Sequence, residues 1–256
     1  VANPAAALGE AIGKLIQDEV GRIISPVCER FDCYYDSGGL RSGKRDGTRL
    51  ELTNTSGNKY NLDGVVENAK GEPIVLVESK YLRYTKHNRD KASWTCVAHS
   101  NVRKSYPTIR KSIAVLSGNW TASSQALMRS FGIELYEVPF LRACAVLRQW
   151  GVEFQWEEKD TKTPAAALEA FQRLSAEQRV EIGGQLLSPI APAIASDIES
   201  TLKLEAEDIA QQIASVELLL KTRGEEMITR VFPDCRSAVT FLLSLQEEPR
   251  DLRGRL

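Results

Sequence analysis

Three places in the 256-residue chain put an acid two residues before a lysine: Glu78-Ser79-Lys80, Glu157-Glu158-Lys159 and Asp160-Thr161-Lys162. Side chains two apart on a strand share a face. The carboxylate of such a pair can hold a hard cation while the ammonium positions a water or offsets negative charge. That is the apparatus of metal-assisted phosphodiester hydrolysis, in which the cation polarises a phosphoryl oxygen and lowers the pKa of the attacking water. The tripeptide by itself is common, so its setting decides. The second and third matches lie in the polar stretch Glu157–Pro164 and read as solvated charge. The first ends Ile74-Val75-Leu76-Val77, a continuous apolar run of the kind found in strands covered on both faces.

Ahead of that run, across the turn Lys70-Gly71-Glu72-Pro73, lies a second extended segment that carries Asp63. Two carboxylates on adjacent strands can share one cation and leave positions for water and a phosphate oxygen. The backbone carbonyl of Ser79 would add another oxygen ligand. The expected triad is Asp63, Glu78 and Lys80, with Asp63, Glu78 and Ser79 toward a metal and Lys80 toward the water. The competing reading is a surface Glu78–Lys80 ion pair with Asp63 as an unrelated turn residue.

Composition narrows the metal. The chain has two histidines, His87 and His99, and five scattered cysteines with no Cys-x-x-Cys pair. That pattern argues against a zinc ribbon or a thioredoxin-like redox motif, and oxygen ligands favour magnesium, manganese or calcium. The thiols are expected to be free, as in a cytoplasmic protein. No apolar run approaches the roughly 18 residues of a membrane span. The segment Val1–Leu15 has no basic leader and does not read as a signal peptide.

Net charge is −1, but Arg83 to Lys111 carries +7 and the rest of the chain −8. A basic stripe of this kind points to a polyanion. Arg83, Lys86, Arg89, Lys91, Arg103 and Lys104 are its expected phosphate contacts. Tyr81, Tyr84, Trp94 and Tyr106 interleave with them and could stack on bases or sugars, although core packing is the preferred reading of Trp94. The segment Ser37–Asp46 is a Gly-rich basic loop, expected to be mobile and able to touch a phosphate. Gly38–Lys44 has phosphate-loop spacing, but Arg45 stands where a Ser or Thr would hold magnesium and no helix opens after it.

The elements that must position these residues follow from periodicity. Pro4–Ile24 is a helix with Pro26 just beyond. Strands are expected at Phe31–Tyr35, Arg49–Thr53, Tyr60–Glu67, Ile74–Val77, Ser112–Leu116, Ile133–Val138 and Val152–Trp156. Gly64 marks a bulge or a close backbone approach. Helices are expected at Asn88–Ser105, Ser123–Phe131, Leu141–Trp150, Ala165–Leu174, Ala176–Leu187, Pro192–Ala214 and Cys235–Leu245. Val216–Thr222 and Glu225–Phe232 read as a hairpin or, nearly as well, as helix. The sum is an α/β protein: a central mixed β-sheet flanked by helices over residues 1–156, then a mainly helical region over 165–256.

The order of a helix, Leu62-Asp63-Gly64-Val65-Val66, a turn, Ile74 to Glu78-Ser79-Lys80, a helix and a strand resembles the PD-(D/E)xK, restriction-endonuclease-like superfamily. The resemblance covers Leu8 to Val138, and its short motif lacks the family's proline, since Leu62 precedes Asp63. It implies magnesium-dependent hydrolysis of DNA, with manganese as a possible substitute. Asp63 and Glu78 would be the motif acids and Lys80 its lysine. In some branches a first-helix Glu joins the metal shell, and Glu10 is the candidate here, ahead of Glu19. The expected function is an endonuclease of restriction type acting on double-stranded DNA. Cutting both strands takes two active sites, so a homodimer is expected, and the region after Pro164 could supply the dimer or recognition surface. The alternatives are a repair or junction-resolving nuclease and a non-catalytic DNA-binding protein that retains the fold.

Overall fold

Asn3 caps the first helix, its side chain accepting the Ala5 N–H at 3.0 Å, and Pro4 occupies the first turn, where its missing N–H costs nothing. This helix, α1 (Pro4–Glu29), buries Leu8, Ile12, Leu15, Ile16, Val20, Ile24, Val27 and Cys28 along one stripe. It runs through Pro26 instead of stopping before it. An internal proline removes one hydrogen bond and crowds the preceding turn, and the burial of Val27 and Cys28 holds the last turn in place. A computed structural model describes residues 3–42, 44, 45, 47–157, 159–206, 213 and 215–247.

The central sheet has the strand order β1-β4-β5-β6-β7. Its strands are β1 (Tyr34–Asp36), β4 (Gly64–Glu67), β5 (Pro73–Leu82), β6 (Lys111–Gly118) and β7 (Ile133–Pro139). β1, β4 and β5 pair antiparallel, whereas β5, β6 and β7 pair parallel. The sheet is therefore mixed, and helices flank it. The expected strand Tyr60–Glu67 is broken at Leu62–Asp63. Its first part, β3 (Lys59–Asn61), pairs with β2 (Glu51–Thr53) in a separate hairpin.

Alternation along β5 assigns its faces. Val75 and Val77, with Ile113 and Val115 of β6, pack into a core shared with α1, α4 (Phe140–Gln149), α5 (Lys162–Arg173), α6 (Ala176–Leu187) and α7 (Ala191–Ala206). Leu76 packs beneath α2 (Asn88–Ser105), and Ala114 and Leu116 beneath α2 and α3 (Ala122–Ser130). Residues 78, 80 and 82 continue the α2 face. Val152–Trp156 forms no strand. It is an extended segment whose Phe154 is buried against the rings of Tyr81, Phe140 and Trp156.

The chain divides into compact units between Lys203 and Leu204, not at the polar stretch 157–164. Ala167, Phe171, Ile182 and Leu186 bury in the same core as α1, which makes α5 and α6 part of the first unit. In the second unit β8 (Val216–Lys221) and β9 (Met227–Phe232) form an antiparallel hairpin, followed by α8 (Cys235–Glu247). Strand alternation, not helix periodicity, is thus the pattern realised there. The rings of Phe232 and Phe241 lie 5.1 Å apart. The end expected at Ala214 for the preceding helix lies outside the described residues.

Candidate active site

β4 meets β5 with Gly64 opposite Val77 and Val65 opposite Leu76. One further step of that register sets Asp63 opposite Glu78, and opposed residues of an antiparallel pair share a face. Asp63 lies just before β4, where the ladder stops and β5 continues alone on that edge. The two acids close the gap. The Asp63 N–H donates to Glu78 Oε2 at 3.2 Å, and the Ser79 N–H donates to Asp63 Oδ2 at 2.9 Å. The N–H and C=O of a strand residue point to the same side, so the Ser79 carbonyl opens to this edge as well. Lys80 Nζ lies 2.8 Å from Asp63 Oδ2 and 2.8 Å from Glu78 Oε1. The three expected side chains are together.

Burial sets their charge. Glu78 is 2% exposed, and its pKa is pushed up to about 7: desolvation dominates, the Lys80 ammonium pulls against it, and Asp63 adds repulsion. Burial works to lower the pKa of Lys80, but the carboxylates of Glu78 and Asp63 outweigh it and the net direction is up. Lys80 thus stays an ammonium. With both acids ionised the cluster carries a net negative charge, which an added cation would balance.

The neighbours refine the shell. Gln17 Nε2 of α1 donates to the Asp63 carbonyl at 3.1 Å. Glu10, two turns earlier, does not join the acids. It lines a separate cleft of about 630 Å³ with Gly9, Gly13, Tyr81 and His87. Among the described residues no three His, Cys, Asp or Glu side chains cluster as a metal site. The donor set is accordingly two carboxylates and one carbonyl. That set suits magnesium, which keeps several waters and binds through one or two carboxylates plus substrate phosphate. Gly64 is the close approach its sequence suggested: a Cβ there would sit 2.1 Å from the Tyr35 hydroxyl. On the other face of this strand edge Tyr35 is buried, its hydroxyl lacks a partner, and its pKa is raised by burial and then by Asp63.

The basic stripe is only partly available. Arg83 does not reach outward: it donates to the carbonyls of Phe154 and Trp156 at 2.8 and 3.0 Å, and its guanidinium lies 3.6 Å over the Trp156 ring. Arg103 leans on the Phe131 carbonyl, and Lys111 is paired with Asp197. Lys86 lies 5.7 Å from the Tyr84 ring centre. Arg89, Lys91 and Lys104 are exposed on α2 and have no partner among the described residues. Trp94 lies on the same helix, 55% exposed rather than in the core, with its ring 6.2 Å from that of Tyr60. The Gly-rich loop is also committed inward. Arg41 and Arg45 pair with buried Asp36, and Arg41 and Lys44 with buried Glu67. Gly43 and Asp46 of that loop lie outside the described residues.

Gln17, Tyr35, Thr95 and His99 were not among the expected site residues. Helical phase could have flagged Thr95 and His99, which fall on the buried stripe of α2 with Ala92, Cys96 and Val102.

No protein-family model and no curated protein matches the chain. A solved structure described as a protein of unknown function, AF1548, is 13% identical and covers 77% of this chain and 98% of its own, with a TM-score of 0.33. A score that low bears on neither fold nor function. Among the described residues no helix is long and apolar enough to cross a membrane.

Proposed function

We propose that the chain is a magnesium-dependent endodeoxyribonuclease of the PD-(D/E)xK type, acting on double-stranded DNA in the manner of a restriction enzyme. One observation carries the reading: Lys80 Nζ stands 2.8 Å from both Asp63 and Glu78, whose carboxylates also hold each other's strand. A surface ion pair would not be buried in this way, nor would an unrelated turn residue be hydrogen-bonded to it.

Asp63, Glu78 and the Ser79 carbonyl would hold the magnesium, or manganese in its place. When bound, the ion supplies phosphoryl polarisation and a more acidic water. Asp63 and Glu78 fix the position of that charge against β5. Lys80 donates to the attacking water or to a phosphoryl oxygen, where negative charge grows in the transition state. Arg89, Lys91 and Lys104 contact the DNA backbone, and Trp94 offers a ring face to a base or sugar. A homodimer supplies the two sites that cutting both strands requires. The five free thiols fit a cytoplasmic setting.

The experiment is cleavage of plasmid and branched DNA with magnesium or manganese, by wild type and by Lys80→Ala. Wild-type products that Lys80→Ala fails to make support the reading, and a preference for branched DNA would make it a junction or repair enzyme. Equal activity in both proteins removes the mechanism. Salt-sensitive binding without products would leave a non-catalytic DNA-binding protein.

A further inference from the structure

Helix α2 lies over the face of β5 that presents Glu78 and Lys80. Its buried residues are Asn88, Ala92, Thr95, Cys96, Ala98, His99 and Val102. Most of them are apolar; of the three polar ones, Asn88 is satisfied by the Asn119 carbonyl and the Thr121 N–H, whereas Thr95 and His99, one helical turn apart, are not. Thr95 is 0% exposed and His99 1%. Neither the Thr95 hydroxyl nor either ring nitrogen of His99 has a hydrogen-bond partner. Buried polar atoms are nearly always paired, because leaving one unpaired forfeits its hydration without return. A stripe selected for packing alone would place an apolar side chain at position 99. Three unpaired polar atoms over the Lys80 face are therefore a cost that another role must offset.

Lys80 has a complementary surplus. A lysine ammonium carries three donors and no acceptor, and two of them are directed at carboxylates, one at Asp63 and one at Glu78. His99 is held neutral, by burial first and then by the positive charges of Lys80 and Arg103. A neutral imidazole offers one donor and one acceptor nitrogen. The acceptor matches the ammonium, and the donor matches the Thr95 oxygen, directly or across one water.

We propose that His99 is a positioning residue for Lys80, the partner to which the ammonium turns when Asp63 and Glu78 give their oxygens to a cation. The inference rests on the nuclease reading of the site. Without a third partner, Lys80 has two alternatives. It stays on the carboxylates and competes with the cation, or it swings toward solvent, to which its side chain is 24% open. Either outcome weakens cation binding or misplaces the ammonium during hydrolysis. Binding of DNA to the outer face of α2 is unaffected.

The test uses the full chain as wild type, His99→Leu, His99→Gln and Thr95→Val. Each is melted in a chelator, titrated with manganese by calorimetry, and assayed for DNA cleavage. His99→Leu removes the unpaired nitrogens at similar volume, so its melting temperature should equal or exceed that of wild type. Its manganese affinity should fall about tenfold, as for loss of other groups that orient a metal site, and kcat by roughly a hundredfold, with KM for DNA unchanged. His99→Gln, which keeps an acceptor, should recover part of both losses. If His99→Leu fails to melt cooperatively, Thr95→Val carries the test and should show the same pattern at smaller size. Wild-type manganese affinity and kcat in His99→Leu, or in Thr95→Val where it substitutes, would overturn the proposal. A wild type that neither binds manganese nor cuts DNA removes the nuclease reading, and this inference with it. An active wild type matched by its variants removes the inference alone.

Discussion

Asp63 and Glu78 each complete the other's backbone: the Asp63 N–H donates to Glu78 Oε2, and the Asp63 carboxylate accepts the N–H of Ser79, the residue after Glu78. The candidate metal ligands thus also finish the sheet where β4 gives out. Function and stability are separable here by choice of substitution. Asp63→Asn keeps an oxygen for the Ser79 N–H and removes the charge. Asp63→Ala leaves that edge N–H without its acceptor. We expect both to lose manganese binding and cleavage. Denaturant titration should show Asp63→Ala less stable than Asp63→Asn by about 1 kcal/mol, and equal stabilities would contradict the edge-capping role.

Glu78 should make the metal-free protein less stable as pH rises. Its folded value of about 7 lies above the ordinary 4.5. Between those values the native protein holds a proton that the unfolded chain has released. The group's contribution is complete below pH 4.5 and is lost as pH climbs through 7. The shift corresponds to about 3 kcal/mol at most. Lys80, raised in the folded state, keeps its contribution until well above this window. His99, lowered by burial to about 3 from the ordinary 6.5, works in the opposite direction below pH 6.5, where only the unfolded chain takes up that proton. Urea titrations of His99→Leu in a chelator from pH 4.5 to 8 should therefore show the Glu78 decline without that offset, and Glu78→Gln in the same background should flatten it. A decline that persists in Glu78→Gln assigns it to another group.

Cation binding should release that proton. At pH 6 the metal-free Glu78 is largely protonated, and a cation binds the carboxylate form. Calorimetric titrations with manganese in buffers of different ionisation enthalpy should therefore report release of up to one proton, fading above pH 8. Lys80→Ala, which removes the attraction that restrains Glu78, should extend the release to higher pH. Zero release at pH 6 alongside tight binding would remove Glu78 from the ligand set.

Gly64→Ala should destabilise the protein by about 3 kcal/mol, at the upper end for a single methyl, since the new Cβ meets the Tyr35 hydroxyl at 2.1 Å and Cζ at 2.6 Å. Tyr35→Phe should rescue little, because the ring carbon still collides. Thermal melts of the single and double variants check both statements.

The basic residues should divide by experiment as they do in the structure. Removing Arg89, Lys91 or Lys104 should lower DNA affinity and reduce the salt dependence by about one phosphate contact each, with little change in melting temperature. Arg83→Ala should do the reverse, because that side chain holds the Phe154–Trp156 segment. Trp94→Ala should weaken DNA binding roughly tenfold and leave the melting temperature within a few degrees. Filter binding across a salt series, beside thermal melts, separates the two classes.

The triad could be proposed from sequence because each part of the argument is local. An apolar run of four fixes a buried strand, the i, i+2 spacing puts Glu78 and Lys80 on one face, and a turn brings a second segment alongside. The amphipathic stripe of α1 and the alternation of strands and helices likewise made the mixed sheet legible. Alternation also left the hairpin of residues 216–232 open, since six-residue runs with apolar residues at mixed spacing fit either period.

What tertiary structure decided was the partner of each charged or polar group. Arg83, Arg41, Lys44 and Arg45 looked like phosphate contacts because a sequence records their charge and not the carbonyls or carboxylates that claim it. Trp94 looked like core because hydrophobicity does not say which side of a helix margin a ring will occupy. Glu10 and Gln17 lie on the same helix, and only the packing of α1 selected Gln17 for the Asp63 carbonyl. The ladder's end at Gly64 is the physical reason Asp63 matters: one edge of β5 would otherwise be unpaired, and no local pattern announces where two strands part. Asp63, Glu78 and Lys80 were determined by the sequence as a set of residue types at fitting positions; their mutual hydrogen bonds, the raised Glu78 and the unpaired His99 above Lys80 follow only from burial in the folded chain.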